Sequence, residues 1–211
     1  VAANTNRVRL GSSICLVPQR NPVYTAKQIT DVDFLSGGRV DFGVGAGWLK
    51  EEFDALQVPF ERRGARTSDY IRVMQALWTM EKPSYQGEFY TLPECTQNPK
   101  PVQTPHPPIF FGGESRPALR RVATQGQGWM GASMMPEDLP EKLALLDTLL
   151  GKKGRKRSDI KVYTLPNIAP KADLFPQYED LGVEQVIHLV PMKNIDDVRQ
   201  RLDTMAKMAF G

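Results

Sequence analysis

Short apolar runs rich in β-branched and aromatic residues alternate along this chain with longer stretches whose apolar positions recur every three or four residues. Arg7 to Val17 (RVRLGSSICLV) reads as a strand. Asn21 and Pro22 then cap and open a helix with Val23, Ala26, Ile29 and Val32 on one stripe, and Ser36-Gly37-Gly38 stops it. Arg39 to Phe42 is a second strand that runs into Gly43, Gly45 and Gly47, with an exposed-looking Trp48 behind them. Trp48 to Arg63 reads as a loop with a short helical piece. Thr67 or Ser68 is the expected cap of the next helix, which carries Ile71, Met74, Leu77 and Trp78 on one face.

Residues 81–108 break this rhythm. Pro83, Pro93, Pro99, Pro101, Pro105, Pro107 and Pro108 rule out a helix, and SYQGEFY reads as a hairpin turning at Gln86-Gly87. The alternation resumes with a strand from Ile109 to Phe111, Gly112-Gly113, and a helix from Arg116 to Gln125. A strand from Gly128 to Ala132 precedes a helix bearing Leu139, Leu143, Leu146 and Leu150, which Gly151 ends. Ile160 to Ile168 is a strand, Asp173 to Leu181 a helix with Gly182 behind it, and Gln185 to Val190 the last strand. The final helix sets Val198, Leu202, Met205 and Met208 on one stripe, read as core packing rather than a metal site.

Some six strands alternating with helices predict a parallel sheet with right-handed crossovers. A doubly wound sheet lacks support, because no GxGxxG opens a helix: Gly43, Gly45 and Gly47 are followed by Trp48 and Leu49. A (β/α)8 barrel lacking its first two units fits better, since barrel chemistry sits at the carboxyl ends of strands, where this chain keeps its glycines. The chain opens on Val1, and VAANTNRVRL looks like the end of one element running into a strand, so further sequence upstream is expected.

Composition narrows the partners. With 27 basic against 24 acidic residues in 211, the net charge of +3 argues for neither nucleic acid nor a membrane surface. No apolar run approaches the roughly 20 residues of a membrane span, and no signal segment opens the chain. Cys15 and Cys95 supply no disulfide framework or zinc spacing, which fits a reducing cytoplasm. The GKKGRKR run at 151–157 has no interleaved aromatic residues and reads as a solvated loop.

Two stretches carry chemistry. Glycine at alternate positions in 43–47 bares one face of the strand end, so a flat ligand could lie there; a bulge or tight bend would use the same glycines. Gly112, Gly113, Glu114 and Ser115 stand between a strand and a helix, where free N–H groups and the helix dipole favour a phosphate, or where a helix simply starts. Arg116 either adds charge there or is a solvated first-turn residue. His188 in EQVIHLV reads as a satisfied core histidine and His106 as loop, while Glu51, Glu52 and Asp54 complement a helix dipole. No nucleophile constellation, metal set or catalytic proton donor can be named.

The segments RLGSSICLVPQRNPVYTAKQ, LSGGRVDFGVGAGWLKEEFDALQVPFERRGART, LWT and NPKPVQTPHPPIFFGG closely resemble the luciferase-like flavin and deazaflavin oxidoreductases, in the branch that uses coenzyme F-420. The resemblance covers nearly the whole chain, and the combination of LSGGR, GVGAGW, EEF and PPIFFGG is far more specific than any one motif. The resemblance implies a (β/α)8 TIM-type barrel, here residues 1–211 as a single partial barrel domain lacking roughly its first two strand–helix units, with an inserted proline-rich hairpin segment at about 81–108. It implies that Ser13-Ile14 is a non-proline cis peptide backing the central ring of the cofactor. Gly45, Ala46 and Gly47 would lie against the ring or ribityl chain. Gly112, Gly113, Glu114 and Ser115 would hold the phosphate through backbone N–H groups, with the Glu114 side chain pointing away.

Departures refine the expectation. FMN-binding luciferases keep a phosphate-holding arginine at the position of Ala46, which favours the deazaflavin over FMN. An acid of the sugar-phosphate dehydrogenases is replaced by Trp48, which could instead wall a substrate pocket or pack on a helix. The expected activity is hydride transfer between coenzyme F-420 and a small organic substrate. An FMN-dependent monooxygenase is the alternative, and a non-catalytic cofactor-binding or interaction remnant is the alternative of another class. Dimers are usual for such relatives.

Overall fold

The computed structural model describes residues 1–190 and 194–210. They fall into two compact units, residues 1–112 with 125–127, and residues 113–124 with 128–211. In the first unit, β3 (Val40–Gly45) is the central strand and is buried throughout. Two short strands, β1 (Leu10–Gly11) and β2 (Cys15–Leu16), pair with it in parallel on one side. On its other side lies β6 (Ile109–Gly112), also parallel, with Phe42 opposite Ile109 and Val44 opposite Phe111. Val40, Phe42 and Val44 alternate with Asp41, Gly43 and Gly45, and both faces of the strand are buried, as in a covered parallel sheet.

Helices α1 (Pro22–Ser36) and α3 (Arg63–Thr79) pack together in this unit. Asn21 caps α1 by accepting from the N–H groups of Val23 and Tyr24, and Gly37 closes it at a φ of 67°. Trp78 meets Phe42 edge to face and donates to Ala26 O, and Ile71, Met74 and Leu77 are buried with it, as predicted. The predicted stripe on α1 holds only in part: Ala26 is buried, Val23 and Ile29 are half-buried, and Val32 is exposed. The buried face of the helix is Pro22, Thr25, Ala26, Thr30, Asp33 and Ser36, while Tyr24, Val32, Phe34 and Leu35 are exposed. The polar face is needed because the proline-rich segment lies on it: Asp33 accepts from the N–H groups of Val102 and Gln103, and Thr30 from Gln97.

Helix α3 also starts earlier than predicted. Arg62, at a φ of 56°, precedes it, and Thr67 is buried inside it with its hydroxyl on Arg63 O. Between β3 and α3 runs the short helix α2 (Lys50–Ala55). Strands β4 (Tyr85–Gln86) and β5 (Thr91–Leu92) form the expected hairpin, but the reversal runs from Gly87 to Tyr90, with Gly87 N–H donating to Tyr90 O. Asp69, buried on α3, accepts from Tyr85 Oη and from the N–H groups of Phe89 and Tyr90. His106, read as loop, is buried against Trp78 and bonded to Pro107 O.

The second unit contains β7 (Gly128–Ala132), β8 (Lys161–Leu165) and β9 (Gln185–Val186), parallel in that order. Helix α4 (Arg116–Gln125) and helix α5 (Leu139–Gly151) match their predicted ranges, and Leu139, Leu143, Leu146 and Leu150 are buried. Two cations of the basic run close this unit rather than face solvent: Arg155 donates to Val122 O and Ala123 O, and Arg157 pairs with Asp147. Helix α6 (Phe175–Asp180) leads to β9, which is shorter than predicted. His188 lies beyond it, half-buried and edge-on to Phe175. On α7 (Ile195–Phe210), Leu202 and Met208 are exposed, and Met205 and Met208 line an open cavity of about 650 Å³ with Ile168 and Leu189. The predicted stripe is therefore not core.

Candidate cofactor site

The bare face of β3 is not empty. The peptide between Ser13 and Ile14 is cis, and the Ile14 side chain lies across the glycines. An ideal Cβ on Gly45 would stand 2.2 Å from Ile14 Cδ1, and one on Gly112 would stand 2.8 Å from it. At Gly43 the obstacle is main chain: a Cβ there would sit 1.9 Å from Ser12 O, while Ser12 Oγ donates to Gly43 O. The alternation of glycine in 43–47 thus has a packing cause, the close approach of the Ser12–Ile14 segment. Ile14 remains 37% exposed, so the surface left for a ligand is its aliphatic side chain and not naked main chain. Cys15 next to it has its thiol pushed up by burial, which makes it a poor nucleophile.

Beyond Gly45 the chain leaves the sheet through Ala46 and Gly47, both half-buried. Gly47 has a φ of 76°, and a Cβ on it would lie 2.7 Å from the Phe53 ring. Arg63 Nε donates to Gly47 O at 2.8 Å, a contact the sequence reading missed. The signal was available in RRGAR, a cluster of arginines at a helix start where cations are ordinarily avoided. Trp48 follows and is 80% exposed, which excludes the helix-packing role weighed for it. Thus Ser13, Ile14, Gly45, Ala46, Gly47, Trp48 and Gly112 all belong to the first unit, Ser13 and Ile14 between β1 and β2 and the others around the carboxyl ends of β3 and β6.

Gly113, Glu114 and Ser115 belong to the second unit, where they lead into α4. Gly113 takes a φ of 102°, which a side chain rarely adopts, and its carbonyl accepts from Trp129 Nε1 at 3.0 Å. Glu114 Oε1 accepts from Ala132 N–H at 2.7 Å, so its carboxylate is spent on the end of β7. Ser115 Oγ accepts from Ala118 N–H at 3.4 Å. With those groups committed, the loop can offer an anion its own N–H groups and the positive end of α4. Among the described residues no cluster of His, Cys, Asp or Glu is arranged to hold a metal ion.

The family model described as luciferase-like monooxygenase matches residues 1–173. This chain belongs to that family. Among similar proteins, an uncharacterised protein of Mycobacterium tuberculosis is 32% identical over 206 residues, covering 97% of this chain and 72% of the relative. An FMNH2-dependent dimethylsulfone monooxygenase of Pseudomonas putida is 37% identical over 130 residues, covering 60% of this chain and 35% of that enzyme. A solved F-420-dependent secondary alcohol dehydrogenase, bound to an F-420–acetone adduct, superimposes with a TM-score of 0.80 over 100% of this chain and 82% of its own, at 15% identity. The luciferase-like family assignment and this α/β likeness agree on the fold.

Proposed function

We propose that this chain binds coenzyme F-420 and serves hydride transfer between the deazaflavin and a small organic substrate. The observation that carries the reading is the Ile14 platform: an aliphatic, part-exposed surface raised on Gly43, Gly45 and Gly112 at the carboxyl ends of parallel strands. A Cβ at Gly45 or Gly112 would collide with the Ile14 side chain and one at Gly43 with the Ser12 carbonyl just before it, so the glycines set where a flat ring laid on Ile14 would rest. Ala46 and Gly47 would border that ring with little side chain. Within the second unit, the N–H groups of Gly113, Glu114 and Ser115 at the start of α4 are a separate candidate for a phosphate, with the Glu114 carboxylate turned to Ala132 N–H and out of an anion's way. Trp48 would wall the substrate side. When bound, the deazaflavin supplies a two-electron hydride carrier, and the protein contributes placement and exclusion of water.

The presence of Ala46, where FMN-dependent luciferases keep an arginine, favours the deazaflavin. The likeness to the dimethylsulfone monooxygenase of Pseudomonas putida supports a second reading, an FMN-dependent monooxygenase. Parallel titrations with the two cofactors discriminate. Saturable F-420 binding with weak FMN binding supports the first reading, and stoichiometric FMN with oxygen consumption by the reduced protein supports the second. Binding of neither, by a folded chain, leaves the reading of a non-catalytic interaction module.

A further inference from the structure

The start of α3 breaks a local rule. Arg62 precedes it, Arg63 opens it and Arg66 lies one turn in, with no acidic residue in the first turn, although the dipole there disfavours cations. Such conflicts between local preference and observed structure concentrate where another role is served. Arg62 is explained by the hairpin, since it pairs with Glu88 and lies over the Phe89 ring. Arg66 is buried and donates to Pro59 O and Glu61 O, which shapes the turn before the helix. Arg63 has a different target. Its Nε holds Gly47 O, and its guanidinium lies 3.9 Å from the centre of the Phe60 ring.

Phe60 in turn meets Phe53 edge to face at 5.2 Å, and Phe53 is the ring that closes on Gly47. The segment leaving β3 is therefore gripped at the Gly47 carbonyl by a charge-assisted bond and at the Gly47 Cα by an aromatic ring. The next residue is Trp48. Because its indole is 80% exposed, the backbone that carries it, rather than a packed surface, sets where it stands.

We propose that Arg63 is a positioning residue of the candidate site: it fixes the Gly47 carbonyl and thereby the direction in which Trp48 is presented. The link to ligand binding rests on the proposed function, whereas the effect on Trp48 does not. Trp78 and Trp129 are buried, so subtracting the signal of a Trp48→Phe variant isolates Trp48 fluorescence in the ligand-free protein. Arg63→Ala is expected to add a fast component to the Trp48 anisotropy decay. Arg63→Lys is expected to restore part of the rigidity, because an ammonium can reach the carbonyl but cannot stack as the planar guanidinium does.

In titrations of the same proteins with F-420 and with FMN, Arg63→Ala should bind the preferred cofactor roughly tenfold more weakly, the usual scale for one charged hydrogen bond. If Arg63→Ala does not fold, Arg63→Lys and Phe60→Leu carry both readouts. An anisotropy decay unchanged in the folded variants overturns the proposal. Loosened Trp48 with unchanged affinity overturns its link to the site. Loosened Trp48 in a protein that binds neither cofactor supports the positioning role and sinks the cofactor reading instead, so the two failures are distinguishable.

Discussion

Ile14 and the glycines beneath it form the smallest scale at which the account can be broken. Gly45→Val would drive its side chain into Ile14 Cδ1, 2.2 Å from an ideal Cβ. Cofactor affinity is expected to fall about tenfold or more while the fold survives with a lowered Tm, read by titration and thermal unfolding. Gly113→Val acts differently, by forcing a side chain into a φ of 102°, at a cost of about 1–3 kcal/mol. It should weaken binding through the phosphate loop. The two histidines make a pH prediction. Burial holds both His106 and His188 below the ordinary 6.5, so the unfolded chain binds more protons than the folded one as pH falls. Their contribution to stability is complete above that ordinary value and is lost as pH falls through the depressed folded values. Calorimetry between about pH 7.5 and about pH 5 should show Tm declining, with a shallower decline in His106→Asn; an unchanged slope would show that His106 does not titrate with unfolding.

Among the elements, the hairpin of β4 and β5 depends on one buried carboxylate. Replacing Asp69 by Ala leaves Tyr85 Oη and the N–H groups of Phe89 and Tyr90 without their acceptor, which should cost about 3 kcal/mol. Hydrogen exchange should then quicken at residues 85–92 more than in β3, whereas uniform acceleration would mean the hairpin has no separate anchor. This carboxylate was invisible in the sequence, because its donors, one tyrosine hydroxyl and two main-chain N–H groups, lie 16, 20 and 21 residues away. The leucines of α5 were legible, since a regular apolar spacing against a sheet admits one reading. The apolar stripe of α1 was only half informative: a helix covered by a polar, proline-rich segment buries Thr30 and Asp33 beside Ala26 and leaves Val32 exposed, which the periodicity of apolar residues alone does not show. The early start of α3 was missed for a related reason. Thr67 looked like a cap, but its hydroxyl bonds back to Arg63 O within the helix.

For the molecule as a whole, the alternation of strand and helix made the parallel α/β architecture readable, and the motif combination made the luciferase-like family readable. The candidate site was readable only as positions. Its chemistry depends on Ile14 filling the glycine cradle and on Arg63 reaching Gly47 O across 16 positions of sequence, and neither contact follows from spacing. The near-neutral balance of 27 basic and 24 acidic residues leaves recognition to shape and to a few placed groups rather than to a broad field. The central claim is that Ile14, raised on glycines, is the surface a deazaflavin ring lies on. Its most direct test is a parallel fluorescence titration of the wild-type chain and of Gly45→Val with coenzyme F-420 and with FMN. Wild type is expected to bind F-420 saturably with quenching of Trp48, and the folded variant to lose both. F-420 binding that survives Gly45→Val undiminished would contradict it.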